Sequence, residues 1–403
     1  MRKYFSVNHK LSVRLILGLV ILLLAAYMFS LPLEQVLFAV DFTEYWSASR
    51  LLLKGENPYS IEAMWRIQSA LPDWPYDHPV KLYNPPWVLS LILPLGFLPY
   101  GAARLVWLIF STGVILLCLD MCWRLFQGPR KRRWVGWVMG FSFLPTLGCL
   151  DLGQISFLVL LGITAFMTLM EKKKWFLAGC AAFLVAVKPQ LLVLVWLVLF
   201  LWVIKSRRWM VLAGAATAGL GMIIPTLLIN PMIFSQYLAF TQSNPPYYFE
   251  VPTIAFALRL LLDYERIWLQ YIPTIIGVGW LVWYWRKHKQ SWDWREHLPL
   301  VIMVSFVITS FAWTFDQIVL LPLLVEATAW VGRNFRNHWW IAGLYFLVHT
   351  AGLAQYLIIG TIPFWYLWQA PVLLLVYAIF YKAMEVERTA SETDRSTPSQ
   401  GVV

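Results

Sequence analysis

Long apolar runs alternate with short polar segments along almost the whole chain. The stretches Leu15 to Leu33, Trp209 to Ile229 and Ile362 to Tyr381 contain no charged residue, and each is close to the roughly 20 residues that a helix needs to cross a bilayer core. Polar and apolar positions do not alternate within them, as they would in the strands of a membrane barrel. The pattern predicts many membrane-spanning helices.

Composition leads to the same conclusion. Of the 403 residues, 60% are hydrophobic and only 13% are charged, which is more apolar surface than a water-soluble domain can bury. Aromatic residues often begin an apolar run, as interfacial anchors do. The four cysteines lie in or beside apolar runs without metal-ligand spacing. The predicted fold class is therefore an all-α polytopic membrane protein.

The formal charge of +11 gains meaning once the basic residues are placed relative to the membrane, because Lys and Arg concentrate in cytoplasmic loops. Seven basic segments lie between apolar runs, at residues 2–14, 124–133, 172–174, 205–208, 286–295, 333–336 and 382–395. They hold 24 of the 32 Lys and Arg residues. Cytoplasmic placement of all seven requires an even number of crossings between consecutive segments.

Twelve helices satisfy this condition, with both termini in the cytoplasm. They are predicted at residues 15–38, 102–124, 134–150, 155–170, 175–187, 190–204, 209–229, 267–285, 298–314, 318–332, 339–358 and 362–381. Trp87 to Leu98 and Ile254 to Leu262 are too short to span and are predicted to lie at the outer surface. One transmembrane domain then covers residues 1–383, with a large extracytoplasmic loop at 41–101. Residues 384–403 are predicted to be a disordered cytoplasmic tail.

Under this topology, several polar residues share the outer ends of separate helices. They are Asp41, Glu44, Asp151, Gln154, Lys188 and Asp316. Asp41 alone could simply end a helix at the interface, but Asp151 and Asp316 recur in the same register. Lys188 is the single basic residue between Trp175 and Ile204, so its side chain must either reach toward the interface or meet an anion. The convergence of these six residues predicts a functional site on the outer face.

The order of several short motifs resembles glycosyltransferase family 87, whose members are polytopic enzymes of the GT-C superfamily. The resemblance covers residues 38–325 and rests on Asp41-Phe42-Thr43-Glu44-Tyr45, Gly55-Glu56-Asn57-Pro58-Tyr59, Tyr83-Asn84-Pro85-Pro86, Gly153-Gln154-Ile155-Ser156, Val187-Lys188-Pro189 and Ser310-Phe311-Ala312-Trp313-Thr314-Phe315-Asp316-Gln317. Actinobacterial mannosyltransferases of the family carry paired histidines in the last segment, where this chain has Phe315 and Asp316. No histidine role is carried over.

The resemblance implies transfer of a hexose, usually mannose, from a polyprenyl-phosphate sugar to a lipid or glycan acceptor. A carboxylate can accept the proton of the acceptor hydroxyl, and Asp41 is the predicted base of an inverting displacement. Lys188, Arg259 and Arg266 are predicted to bind the donor phosphate. The sugar or acceptor is expected to contact Glu44, Tyr83, Asn84, Asp151, Gln154, Trp313 and Asp316. Further aromatic candidates for stacking are Trp87, Tyr247 and Tyr248.

The expected partners are therefore the lipid-linked sugar, the acceptor and membrane lipids, with no nucleic acid. No cofactor is expected, although Asp41, Asp151 and Asp316 could converge on a divalent metal. The expected location is the plasma (inner) membrane, with an extracytoplasmic active site. The main alternative is a transporter or flippase of lipid-linked sugars. The gathering of polar residues at one face and the lack of an internal repeat weigh against it.

Overall fold

The computed structural model describes residues 38–72, 74–246, 249–333, 335–360 and 363–396. Within these ranges the regular secondary structure is helical, without strands. The predicted helix at 15–38 lies almost wholly outside them, as do Asp73, Tyr247 and Tyr248.

The α-helices of the described ranges are numbered here in chain order. They are α1 (Val40–Leu53), α2 (Ile61–Gln68), α3 (Pro86–Ile92), α4 (Tyr100–Leu125), α5 (Arg133–Ser142), α6 (Leu144–Asp151), α7 (Ser156–Glu171), α8 (Trp175–Phe183), α9 (Val193–Ser206), α10 (Met210–Ile229), α11 (Ile233–Ser243), α12 (Ile254–Leu262), α13 (Ile272–His288), α14 (Trp294–Val307), α15 (Leu321–Arg333), α16 (Phe335–Ile359) and α17 (Gln369–Ser396). Short 3₁₀ helices occupy Leu93–Phe97, Arg130–Arg132, Leu184–Val187, Pro189–Leu192, Ile267–Tyr271, Thr314–Leu320 and Pro363–Tyr366.

Six helical stretches in the described part of the chain are long and apolar enough to cross a membrane. They are Tyr100–Leu125, Pro189–Ser206, Met210–Ile229, Ile267–His288, Thr314–Arg333 and Phe364–Glu385. Large apolar side chains on three of them are mostly exposed, including Ile109 at 65%, Leu228 at 79% and Ile275 at 68%. Contact with lipid chains explains such exposure. The predicted all-helical polytopic class is confirmed, whereas the predicted number of twelve crossings is not established.

Two of the predicted helices have bounds in the structure that differ from the prediction. The segment at 134–150 is divided at Phe143 into α5 and α6, because Pro145 has no N–H to continue the hydrogen-bond ladder and is well placed near a helix start. The segment at 298–314 begins earlier, since Asp293 caps the backbone N–H groups of Arg295 and Glu296. That helix, α14, already ends at Val307.

The chain after residue 383 also differs from expectation, since α17 continues to Ser396 without a break. Extending an existing helix adds one hydrogen bond per residue without a new nucleation step. The backbone of residues 384–396 is helical as part of α17, while the division of the chain at residue 383 stays a prediction.

The first predicted loop, at 41–101, contains α1, α2 and α3. Helix α1 is not a surface helix, because Phe42, Tyr45 and Leu51 are fully buried. The Ser49 hydroxyl donates to Ile92 O, and the Trp46 indole donates to Leu98 O at 3.0 Å. The short helices predicted at 87–98 and 254–262 are present, the first as α3 with the following 3₁₀ turn. The packing of α1 fixes the position of Asp41 in its first turn.

Candidate active site

Four turns bring polar side chains from distant parts of the chain into direct contact. Asp41 lies in the first turn of α1, and Gln154 lies between α6 and α7. Lys188 separates two 3₁₀ helices, while Asp316 lies in the first turn of the 3₁₀ helix Thr314–Leu320. The predicted convergence of these four residues is present as a continuous hydrogen-bonded network.

Lys188 is the centre of this network. Its side chain is almost fully buried, and its Nζ lies 2.8 Å from Asp316 Oδ1 and 2.8 Å from Gln154 Oε1. The ring of Phe315 lies 4.9 Å from the ammonium group. A buried cation needs such compensation. Of the two possibilities left by the sequence, the side chain meets an anion, and that anion belongs to the protein itself.

Gln154 joins the base candidate to the cation. Its Nε2 donates to Asp41 Oδ2 at 2.6 Å, while its Oε1 accepts from Lys188 and from the Tyr45 hydroxyl at 3.1 Å. An amide is suited to this position because it both donates and accepts hydrogen bonds. Gln154 therefore holds a carboxylate and an ammonium group at a fixed separation.

The turn that carries Gln154 is held by Trp107 and by the backbone of α1. The Trp107 indole donates to Gly153 O at 2.8 Å, and the Phe42 backbone N–H donates to Leu152 O at 3.0 Å. Gly153 has φ +71°, and a Cβ at this position would lie 2.6 Å from Phe42 Cβ. Only glycine fits this close approach without strain.

Arg104, near the start of α4, supports the same turn. It is 1% exposed and donates from one nitrogen to the carbonyls of residues 150 and 151, at 2.7 and 2.9 Å. These carbonyls belong to the last turn of α6, where no further helical N–H is available. Sequence reasoning missed Arg104, as it missed Trp107. A charged residue inside an apolar run was the available signal.

Asp316 is directed into the protein. Its Oδ1 accepts from Lys188 and from the Ser156 hydroxyl, and its Oδ2 accepts from the Trp313 backbone N–H at 2.9 Å. The side chain is buried. Asp316 supplies the counter-charge of Lys188. Its contacts are those of a positioning residue.

Glu44 lies one helical turn after Asp41 on α1 and is buried. Burial raises the pKa of the Glu44 carboxyl well above its usual range, and the charge of Asp41 raises it further. Burial likewise raises the pKa of Asp41, while the hydrogen bond from Gln154 and the charge of Lys188 oppose that shift. The half-buried Asp41 thus keeps a more basic carboxylate than a fully solvated aspartate.

The remaining predicted residues of the sugar site make different kinds of contact. Tyr83 and Trp313 both contact Phe249, with ring centroids 5.2 and 5.7 Å from it, and Trp313 also stacks on Phe315, the ring next to the Lys188 ammonium group. Asn84 donates to the carbonyl of residue 187 at 3.2 Å and so supports the turn before Lys188. Asp151 is exposed, and its backbone carbonyl provides the contact with the arginine of α4.

The two arginines of the second predicted loop, residues 230–266, have different partners. Arg259 is buried and donates to Tyr264 O and, at 3.0 Å, to Gln270 Oε1. Arg266 is largely exposed and pairs with Asp263 at 2.8 Å. These contacts place both within the loop that follows α11, whereas Lys188 is joined to the base candidate through Gln154.

The described residues contain no group of three His, Cys, Asp or Glu side chains arranged to hold a metal ion. The carboxylates of Asp41 and Asp316 lie at opposite ends of the Gln154–Lys188 bridge. A monovalent ammonium group thus occupies the position between the two acids.

The helices and this network define a class: a polytopic membrane protein with a buried, charged site built from turns between helices. The sequence model of glycosyltransferase family 87 matches residues 82–290, just over half of the chain. The chain therefore belongs to glycosyltransferase family 87 and is a membrane glycosyltransferase acting on a sugar donor and an acceptor. No significant match was found among curated proteins or among solved structures.

The matched range contains Gln154 and Lys188 but neither Asp41 nor Asp316. Both of these residues nevertheless contact matched residues directly. The site thus extends beyond the segment that identifies the family.

Proposed function

We propose that this glycosyltransferase moves a hexose, with mannose the first candidate, from a polyprenyl-phosphate sugar to a lipid or glycan acceptor on the extracytoplasmic face. Asp41 acts as the base, and Lys188 binds the donor phosphate. The observation that carries the proposal is the bridge through Gln154, which holds the carboxylate of Asp41 and the ammonium of Lys188 in one network.

The proton step is assigned to Asp41. As the acceptor oxygen bonds to the anomeric carbon, its proton passes to the Asp41 carboxylate, and the bond from that carbon to the phosphate oxygen breaks. Burial, which raises the pKa of Asp41, makes the carboxylate a better proton acceptor. A single displacement of this kind inverts the configuration of the sugar.

The leaving group is a phosphate monoester that gains negative charge during the reaction. Lys188 has three N–H donors, of which two point to Gln154 and Asp316. The third is left for a phosphate oxygen. A fixed cation that binds the leaving group more tightly as charge develops lowers the barrier.

Three aromatic rings provide a surface beside this charge. Tyr83, Phe249 and Trp313 are half-buried and contact one another in that order. Apolar ring faces with a few polar groups are typical of ligand sites. The hexose or the first isoprenoid unit would pack against these rings.

The distribution of basic residues supports the extracytoplasmic placement. Gln154 precedes the start of α7, while Lys172 to Lys174 follow its end. Likewise, Lys188 precedes α9, and Arg207 and Arg208 follow it. If the basic segments are cytoplasmic, the site lies on the opposite side, in a plasma membrane protein with cytoplasmic termini.

The test is transfer of radiolabelled mannose from polyprenyl-phosphate-mannose to endogenous lipid, in membranes with matched amounts of wild type, Asp41→Asn or Asp77→Asn. The first variant keeps the size of the side chain but loses the base, so transfer should fall by about 100-fold or more. Asp77 is a fully exposed aspartate of the same predicted loop and serves as the control. Equal transfer by all three proteins would exclude Asp41 as the base. Movement of the intact lipid-linked sugar without transfer would favour the flippase.

A further inference from the structure

A cleft of about 530 Å³ lies between the start of α2 and one face of α11. This volume is within the roughly 300–1,000 Å³ of small-ligand sites. One wall is formed by Asn57, Tyr59 and Glu62, and the other by Gln236, Ala239 and Phe240. The lining residues on both walls belong to segments outside the candidate membrane spans.

The polar groups in this cleft have unused hydrogen-bonding capacity. The Oε1 of Gln236 accepts from Asn230, which leaves its two Nε2 hydrogens. The Oδ1 of Asn57 accepts from the backbone of Tyr59, which leaves its Nδ2. Glu62 accepts from Ser60 through Oε2 and keeps Oε1. The cleft thus offers two amide donors and a carboxylate acceptor, a combination that suits hydroxyl groups, which both donate and accept.

The charge of the cleft restricts the ligand further. Glu62 is the one charged residue among the described lining residues, while Lys81, outside the lining, donates to the Oδ1 of Asn244, which lines the cleft. Anionic ligands such as phosphates or nucleic acids are bound by basic side chains. The rings of Tyr59 and Phe240 are buried and pack against each other, with centroids 5.8 Å apart. A neutral, hydroxyl-rich molecule fits this chemistry.

The floor of the cleft continues to the reaction site. The Tyr59 hydroxyl donates to Asn84 O at 3.0 Å, and Asn84 Nδ2 donates to Val187 O, one residue before Lys188. Ring contacts follow the same route: Phe240 lies 5.1 Å from Tyr83, which begins the aromatic surface beside Lys188. The wall residues Tyr59 and Phe240 are thus linked by direct contacts to the turn before Lys188 and to Tyr83.

We propose that the cleft between α2 and α11 binds a neutral oligosaccharide portion of the acceptor and directs its terminal sugar toward Asp41. This inference rests on the proposed function and gives the acceptor a chemical class. It predicts that the acceptor extends over more than one sugar.

The test uses the full chain in lipid nanodiscs, with mannotetraose as the probe. Binding is measured by saturation-transfer NMR, and transfer kinetics are measured with polyprenyl-phosphate-mannose. Ala239→Trp places an indole in the cleft. Leu238→Trp is the matched control on the same helix, because Leu238 is 57% exposed and does not line the cleft.

Ala239→Trp should weaken oligosaccharide binding by about tenfold or more and raise the acceptor KM, with the donor KM unchanged. Leu238→Trp should match wild type in both assays. Gln236→Ala, which removes only the amide, provides a second variant should Ala239→Trp not fold, with a loss of about three- to tenfold expected.

Equal binding of mannotetraose by wild type and the cleft variants, or no binding by wild type, would overturn the cleft assignment even when mannose is transferred normally. Loss of binding in Ala239→Trp would support the cleft. If wild type then binds mannotetraose but transfers nothing, the proposed function fails while the carbohydrate site stands.

Discussion

Lys188 Nζ lies 2.8 Å from Asp316 Oδ1, although 128 positions separate the two residues. Their side chains are only 10% and 2% exposed. Burying either charge alone would cost several kcal/mol, so each is stable in this place because of the other. The pair therefore fixes the Lys188 ammonium group at the turn before Pro189.

Replacing Lys188 by Met should therefore affect both stability and activity. The unpaired carboxylate of Asp316 should lower the free energy of unfolding by about 3–5 kcal/mol. Transfer should fall by about 100-fold or more because the leaving phosphate loses its cation. Denaturant unfolding and the mannose transfer assay measure the two effects separately.

The double variant Lys188→Met with Asp316→Asn separates folding from catalysis. It removes both buried charges, so most of the lost stability should return while transfer stays low. Recovery of transfer together with stability would show that Lys188 acts only by supporting the fold.

With Asp41 as the proposed base, Gln154 should influence the acidic limit of activity. A base must be deprotonated, so kcat/KM falls as the pH drops through the pKa of Asp41. Burial raises that pKa, and the hydrogen bond from Gln154 lowers it. Gln154→Leu removes the lowering contribution, so the acidic limb of the kcat/KM profile should move to higher pH.

The matched control is Gln190→Leu, because Gln190 is exposed and lies two residues from Lys188. Its pH profile should be that of wild type. An acidic limb at the same pH in Gln154→Leu would contradict the assignment of that limb to Asp41.

Gly153 tests how closely the turn must approach α1. In Gly153→Ala the left-handed backbone costs about 1–2 kcal/mol, and the new Cβ meets Phe42 Cβ at 2.6 Å. Phe42 follows Asp41, so both stability and transfer should fall. Gly55→Ala has φ +70° but no atom within 4 Å of the new Cβ, and it should show the backbone cost alone. Equal melting temperatures for the two variants would exclude the contact with Phe42.

The position of the network could be predicted from the sequence because its members mark breaks between apolar runs. Asp41, Gln154, Lys188 and Asp316 each lie where a helix begins or ends. Helices that cross the same slab bring alternate breaks to the same side, so the order of apolar runs implies which polar residues share a face.

The contacts within the network could not be predicted in this way. Hydropathy does not show that Gln154 faces both Asp41 and Lys188, since that depends on the angle of a turn held by Arg104. The side-chain contacts within residues 230–266 could not be predicted either, because the direction of a side chain in a loop follows no periodic pattern. The break at Phe143 did have a signal in the sequence, because Pro145 follows it by two residues.

The side of the membrane on which the site lies can be measured with single cysteines. Asp77→Cys is in the first predicted loop, and Lys172→Cys follows α7; both positions are exposed. The native Cys118, Cys122 and Cys149 are buried, but Cys180 is half-buried, so the unmodified protein is labelled in parallel as the background. A membrane-impermeant maleimide should label Asp77→Cys in right-side-out vesicles and Lys172→Cys in inverted ones. Because an odd number of crossings must separate opposite faces, labelling of both from the same side would remove the argument that basic segments and site lie on opposite faces.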